Sequence, residues 1–182
     1  MRYLFALLLM LSLHSVAQVQ DDPPIRTLRD SELPTADQIA IQHVIQGKSS
    51  KDRPAEDAVL STRIQSIDLN DDETPEIFAQ SADPNTCGAS GNCSFWILQK
   101  SKTGYKVLLK SVAQNFRIRQ VKTGGFLDVE LGLHDSAYST EWRGYKYDGA
   151  HYIRVKCWVN VTGDSEHDKP YSKPKIEPCK KR

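Results

Sequence analysis

The sequence predicts a mainly β domain of the α+β class: an antiparallel meander of about eight short strands with one short N-terminal helix. Three observations support this prediction. Apolar and polar residues alternate with a period of two from residue 60 onward. Short turn sequences such as Asp148-Gly149 separate the alternating runs, and strands joined by short connections usually pair with each other. Only one segment has helical periodicity, so no helices alternate with the strands as a parallel sheet requires.

The alternating runs define the predicted strands. In the clearest run, 127–134, apolar residues alternate with polar ones, as in a strand with one buried face. The eight predicted strands are 63–69, 77–80, 93–100, 105–110, 112–119, 127–134, 142–147 and 151–159.

The predicted helix covers residues 36–46. Thr35 and Gln38 have the spacing of a capping box, with Thr35 as the N-cap and Gln38 reaching back to it. Ile41, Val44 and Ile45 fall on one face at helical spacing. Gly47 is predicted to end the helix.

The first 17 residues have the pattern of a secretory signal peptide. Arg2 supplies a positive charge, an apolar run follows, and small residues precede a cleavage site predicted between Ala17 and Gln18. The run is shorter than the roughly 20 residues that span a bilayer, so no membrane anchor is predicted. The predicted location is therefore secreted or periplasmic.

Composition divides the rest of the chain and limits its partners. The predicted parts are a flexible linker at 18–34, a single β-rich domain at 35–160 and an extended basic tail at 161–182. The formal net charge of +1 falls to 0 when the signal peptide, with Arg2, is removed. A neutral protein gives no reason to expect nucleic acid as a partner. The sequence does not give the oligomeric state.

Four cysteines in a chain predicted to be exported indicate two disulfides, for which three pairings are possible. The favoured pairing joins Cys87 to Cys93 and Cys157 to Cys179. The first bond closes a short loop with two glycines, and the second ties the basic tail back to a strand. A zinc site fits poorly, because no histidine lies near the first cysteine pair.

The best candidate site is the acidic segment 68–76, between two predicted strands. Oxygen-bearing side chains recur there at alternate positions and, with one backbone carbonyl, can supply the oxygen ligands that Ca²⁺ prefers. Five carboxylates in nine residues also repel one another unless a cation or basic neighbours balance them. The alternative interpretation is a solvated acidic turn. The predicted ligands are Asp68, Asn70, Asp72, the carbonyl of Thr74, and Glu76.

This segment is not an EF-hand loop. An EF-hand requires Glu at its twelfth position and Gly at its sixth, where this chain has Ala79 and Glu73. The shorter pattern resembles the nine-residue calcium loop of FG-GAP and VCBS-type repeats, which also joins two strands. It departs from that loop at Glu73, where a non-glycine residue makes a positive φ costly.

More of the chain resembles a group of uncharacterised bacterial exported proteins. The resemblance covers about half the chain. It rests on the acidic loop at 68–76, the cysteine loop and aromatic strand at 87–96, and the hairpin at 147–157 whose closing strand ends in cysteine. It implies export and a β fold, and it implies no activity.

Trp142 and Arg143, with Tyr138 nearby, are predicted to form an exposed cluster beside a loop. Such a cluster would suit stacking against sugars or contact with a protein. The alternative is that the aromatic side chains pack in the core.

These features favour an exported, non-enzymatic binding or interaction module with a protein or glycan partner and structural Ca²⁺. One alternative is a periplasmic inhibitor or immunity protein that blocks an enzyme with the Cys87–Cys93 loop, since a closed loop loses less entropy on binding. Another alternative is a hydrolase whose residues meet only in three dimensions. The neighbouring residues His134-Asp135-Ser136 do not indicate a triad, because triad members rarely adjoin in sequence.

Overall fold

The computed structural model describes residues 24–47 and 56–180, and it is mainly β, as predicted. Two antiparallel sheets contain five strands each. The first sheet consists of β1 (Arg26–Thr27), β2 (Arg63–Ile67), β3 (Glu76–Gln80), β4 (Cys93–Ser101) and β5 (Gly104–Ala113). The second sheet consists of β6 (Asn115–Thr123), β7 (Phe126–Ser136), β8 (Ser139–Tyr147), β9 (Tyr152–Asp164) and β10 (Lys169–Pro178). The predicted signal peptide lies outside the described residues.

Within each sheet the strands lie in chain order, which confirms the predicted antiparallel meander. The eight predicted strands correspond to β2 through β9, and the structure adds β1 and β10. Only Gln114 separates β5 from β6. The chain therefore passes directly from the edge of the first sheet to the edge of the second.

Helices cover the outer face of the first sheet. The predicted helix is α1 (Thr35–Gln46), and the short helices α2 (Glu56–Leu60) and α3 (Pro84–Cys87) accompany it. None of the described helices is long and apolar enough to cross a membrane. The buried cluster between α1, α2 and the sheet contains Leu28, Ile41, Ile45, Val59, Ile64, Ile77, Ala79, Trp96 and Leu98.

A larger core lies between the two sheets. Successive strand residues point to opposite faces, so Ile77 faces the helices while Phe78 faces the second sheet. Phe116 of β6 packs on Phe78 and Phe95, with ring centroids 4.8 and 5.7 Å away. The beginning of β6 therefore crosses over β3 and β4.

The start of α1 differs from the predicted capping box. Pro34 is the N-cap residue, and no side chain caps the first turn. Gln38 instead donates from Nε2 to the carbonyl of Leu33 at 2.9 Å, which holds the preceding segment. The predicted end of the helix is confirmed, because Gly47 has φ 68° and donates its N–H to the carbonyl of His43.

Residues 24–34 belong to the domain, which corrects the linker predicted at 18–34. β1 pairs with β2 in antiparallel register. Leu28 is fully buried, and its N–H donates to the carbonyl of Thr62 at 2.8 Å. The segment is largely polar, so it is attached to the rest of the domain mainly by the buried side chain of Leu28 and by the two residues of β1.

The C-terminal segment also carries a strand. β10 pairs with β9, and the Cys157–Cys179 disulfide joins β9 to the residue that follows β10. Most side chains of β10 are exposed. Backbone pairing and the disulfide, rather than burial, therefore hold β10 on the sheet.

Candidate functional site

The acidic loop joins β2 to β3 and folds around the side chain of Asp68. The Asp68 carboxylate accepts backbone N–H groups from Asn70 at 3.2 Å, Asp71 at 2.8 Å and Glu73 at 3.0 Å. Partial burial alone would raise the pKa of Asp68. The N–H donors outweigh that effect and hold its pKa below the ordinary value, which favours the ionised form.

The next side chains at alternate positions are held in the same way. Asn70 accepts the N–H of Asp72 on Oδ1 at 3.2 Å and donates from Nδ2 to Asp72 Oδ2 at 2.9 Å. Asp72 Oδ1 accepts the N–H of Thr74 at 2.8 Å. The loop's own backbone therefore organises three of the predicted ligands.

Glu76 ends the loop and is fully buried. Its Oε2 accepts the N–H of Leu69 at 2.9 Å, and its Oε1 accepts a hydrogen bond from Nε2 of Gln99 at 3.2 Å. Burial raises the pKa of Glu76 despite the Leu69 N–H, and the nearby charge of Asp72 also raises it. A buried carboxylate near a second one is costly to ionise, and a cation placed between them would relieve that cost.

Two non-glycine residues of the loop have left-handed backbone conformations. Asp71 has φ 59° and Glu73 has φ 65°. Glu73, the sixth residue of the loop, thus has the positive φ that glycine usually adopts in such a turn. For a residue with a side chain this backbone conformation costs of order 1 kcal/mol or more. The hydrogen bonds to Asp68 hold this strained shape.

The acidic loop is also attached to the second sheet. The N–H of Leu127, in β7, donates to the carbonyl of Leu69 at 2.8 Å. The ammonium of Lys122, in β6, pairs with the carboxylate of Asp71. The loop therefore lies against the end of the β6–β7 hairpin.

The donor chemistry of the loop suits calcium, since every predicted ligand is an oxygen atom. In this structure the side-chain oxygen atoms of Asp68, Asn70 and Asp72 accept hydrogen bonds from backbone N–H groups of the loop. A bound cation would draw these oxygen atoms toward itself. Within the described ranges, one set of three His, Cys, Asp or Glu side chains has its ligand atoms within 4.8 Å of one another: Glu141, Cys157 and Cys179. Those two cysteines are bonded to each other, so this set is not a metal site.

A groove of about 1500 Å³ runs between the first sheet and β6, and the acidic loop forms one end of it. Residues of β2 and β3 form its floor, and β6 forms one wall. Pro24 and Ile25, beside β1, line it as well. Pockets for small molecules typically measure about 300–1000 Å³, so this groove has room for an extended partner.

Apolar side chains at the edge of the inter-sheet core contribute to this groove, among polar ones. The inter-sheet core has four partly buried hydrophobic residues at its boundary, and all four line the groove. Ile25, which is 64% exposed, adds to them. Apolar surface gathered in a concave site and bounded by polar groups is typical of a binding site. The four boundary residues are Ile67, Phe116, Ile118 and Leu127.

The polar residues of the groove give it a closed end and one available cation, Arg63. Gln80 donates from Nε2 to the carbonyl of Ala113 at 2.8 Å, which closes the end opposite the acidic loop. Arg63 and Arg117 also line the groove, and neither forms an ion pair with another described residue. The Arg117 guanidinium lies 3.8 Å from the ring centroid of Trp142.

The alternation of residues 112–119 predicts the strand at β6 but not the groove beside it. Among the described residues β6 has one strand neighbour instead of two, which leaves room for the groove, and the order of strands in a sheet is not visible in the sequence. One signal was available. Residues 114–120 mix arginines and amides with apolar residues, as is typical of an edge strand.

The predicted exposed cluster around Trp142 does not form. Trp142 is only 5% exposed, because Trp158 stacks beside it with ring centroids 6.4 Å apart and Arg117 covers its face. Arg143 is the next residue of β8 and therefore points to the opposite face. It pairs with Glu141 at 2.6 Å.

Tyr138 lies away from both residues, in the turn between β7 and β8. Its hydroxyl donates to Asp168 at 2.8 Å, and its ring packs on Gly163. Hydrogen bonding to Asp168 raises the pKa of the Tyr138 hydroxyl. The side chain thus links two turns of the second sheet.

Both favoured cysteine pairs are found, Cys87 with Cys93 and Cys157 with Cys179. Asn92 attaches the first loop to β7, since its amide donates to the carbonyl of His134 at 2.9 Å and accepts the N–H of His134 at 2.8 Å. The exposed tip of this loop is Gly-Ala-Ser at 88–90. Such small side chains offer little contact area for blocking an enzyme.

The histidines of the second sheet lie apart from one another. His134 is near the end of β7, His151 is in the β8–β9 turn and His167 is in the β9–β10 turn. None of the three lines the groove. The alternative of a hydrolase therefore gains no support from their placement.

No family model, curated protein or solved structure matches the chain. The likeness of residues 68–76 to a nine-residue calcium loop therefore stays a prediction. The groove and the acidic loop are the two features of the described residues from which a function can be argued.

Proposed function

We propose that this protein is an exported, non-enzymatic binding module that holds its partner in the groove between the first sheet and β6. The observation that carries the proposal is the placement of the apolar boundary residues. Ile67, Phe116, Ile118 and Leu127 come from three strands, yet all line one groove. A partner that covers them would remove apolar surface from water, which favours binding.

We propose a structural role for Ca²⁺ in the same site. The residues that would hold it are Asp68, Asn70, Asp72, Glu76 and the carbonyl of Thr74. When bound, the ion would supply positive charge between carboxylates that otherwise repel one another. Because the loop forms one end of the groove and contacts the β6–β7 hairpin, the ion would also fix that end of the binding site.

The two disulfides support export, since such bonds persist in oxidising compartments and are rare in the cytosol. The signal peptide predicted at 1–17 would direct the chain there.

Blocking the groove tests the binding site. A display library of linear peptides and a glycan array are screened with the oxidised protein and with Ile118→Glu, which places a charge on the groove wall. We expect ligands that bind the unmodified protein and bind Ile118→Glu at least about tenfold more weakly, because a charge is costly to bury.

The matched control for this test is Ile153→Glu. Ile153 is 42% exposed and does not line the groove, so this variant receives the same change outside the site and keeps its ligands. Circular dichroism confirms that both variants are folded. Ligands that bind Ile118→Glu with the same affinity as the unmodified protein would show that the groove is not the binding site.

A further inference from the structure

The groove runs along the backbone edge of β6. Five consecutive residues line it, from 114 to 118. Alternate side chains of a strand point to opposite faces, so consecutive residues can border one groove only when it follows the edge of the strand. β6 pairs with β7 on its other side and has no other strand neighbour among the described residues.

A second strand edge faces the same groove. β1 pairs with β2 only at Arg63 and Ile64. Ser66 and Ile67 lie beyond that pairing, and both line the groove. Pro24 stands just before β1, and proline has no N–H to extend the β1–β2 ladder. The groove is therefore bordered by backbone that a further strand could pair with.

The opposite edge of the second sheet is built differently. That edge is β10, which contains Pro170, Pro174 and Pro178. Proline on an edge strand removes ladder donors and prevents the addition of another strand. β6 contains no proline. Within the described part of the chain, the sheet thus protects one edge against strand addition and leaves the other unpaired.

The charges of the groove favour an acidic partner. Its two carboxylates are already engaged, because Asp71 pairs with Lys122 and Asp68 accepts three backbone N–H groups. Arg63, by contrast, is exposed and has no carboxylate partner among the described residues. The Arg117 guanidinium is stacked on Trp142, on the face of β6 opposite Phe116 and Ile118, so Arg63 is the cation that the groove leaves available.

We propose that the groove binds an extended polypeptide segment in which acidic and aliphatic side chains alternate, and that this segment adds as a strand to the free edge of β6. Its aliphatic side chains cover the apolar boundary residues of the groove, and a carboxylate meets the guanidinium of Arg63. This inference rests on the proposed function and specifies the partner's chemistry.

Four labelled peptides test the inference by fluorescence anisotropy against the oxidised full chain. The first is Asp-Val-Asp-Val-Asp-Val-Asp, and the second is Lys-Val-Lys-Val-Lys-Val-Lys. The third and fourth are the acidic peptide with alternate backbone nitrogens methylated, one in each of the two possible registers. We expect the acidic peptide to bind. The lysine peptide, and the methylated register that removes the N–H groups facing β6, should bind at least about tenfold more weakly, while the other register, whose methyl groups point away from β6, should bind more tightly than that one.

A pair of arginine variants locates the site. Arg63→Gln removes one cation of the groove and should weaken the acidic peptide about fivefold or more. Arg154→Gln makes the same change at an exposed arginine of β9 that does not line the groove, and it should leave the affinity unchanged.

Equal binding of both methylated peptides would overturn strand addition, and equal binding of the lysine peptide would overturn the charge preference. If no peptide binds but a glycan binds in a manner that Ile118→Glu abolishes, the inference fails while the proposed function stands. If no ligand of either class depends on Ile118, both fail.

Discussion

Millimolar Ca²⁺ is expected to raise the thermal midpoint of the oxidised protein by about 5–10 °C relative to EDTA. Binding to the folded state alone at 100 times the dissociation constant stabilises it by about 2.7 kcal/mol. For a chain of this size, each kcal/mol shifts the midpoint by about 2–4 °C. Scanning calorimetry in EDTA and in Ca²⁺ measures the difference.

The variant Glu76→Gln separates metal binding from simple burial of a carboxyl group. The folded-state pKa of Glu76 is raised by burial, so its contribution to stability is fully present below the unfolded pKa, about 4.5, and is lost as the pH rises through the folded pKa. At neutral pH in EDTA, Glu76→Gln is therefore expected to be neutral or slightly stabilising. In Ca²⁺ it is expected to lose the rise in midpoint, since the metal requires the carboxylate.

The matched control is Glu73→Gln. It removes the same charge from the same loop, at a side chain that is not a predicted ligand and is exposed. It should keep most of the calcium shift. No shift in the unmodified protein, or an equal shift in Glu76→Gln, would leave the loop a solvated turn.

Removing the Cys157–Cys179 bond by Cys157→Ser with Cys179→Ser is expected to lower the free energy of unfolding by about 3 kcal/mol. The bond closes a loop with a sequence separation of 22, and cross-links stabilise mainly by restricting the unfolded chain. β10 buries little of its surface, so in this variant it should also become sensitive to proteases. Urea unfolding and limited proteolysis measure the two effects.

Replacing Cys87 and Cys93 by serine is the comparison for the second disulfide. That bond closes a separation of only 6, so the expected loss is smaller, about 2 kcal/mol, and β10 should stay protected. Cleavage of β10 at the same rate with and without the Cys157–Cys179 bond would show that strand pairing alone holds it.

Most of the fold could be predicted because strand alternation and turn residues are local signals. β1 and β10 could not be predicted from such signals. β1 has two residues and depends on the burial of Leu28 next to it. β10 is rich in lysine and proline, a composition that favours an exposed tail until a partner strand and a disulfide hold it.

The candidate site was predictable only in part, for the same reason. The acidic loop is a contiguous segment, so its position between two strands followed from the sequence. The groove depends on which strands lie at the sheet edges, and Trp142 is buried by Arg117 and Trp158, which are distant in the chain. Contacts of this kind arise from the tertiary structure and leave no local pattern.

Amide hydrogen exchange, with and without a saturating ligand selected on the unmodified protein, tests binding in the groove most directly. Occupation of the groove predicts slower exchange in β6 and at residues 66–67, with no change in β10, the other edge of the same sheet. Protection confined to the Gly-Ala-Ser tip at 88–90 or to β10, with exchange in β6 unchanged, would contradict ligand binding in the groove.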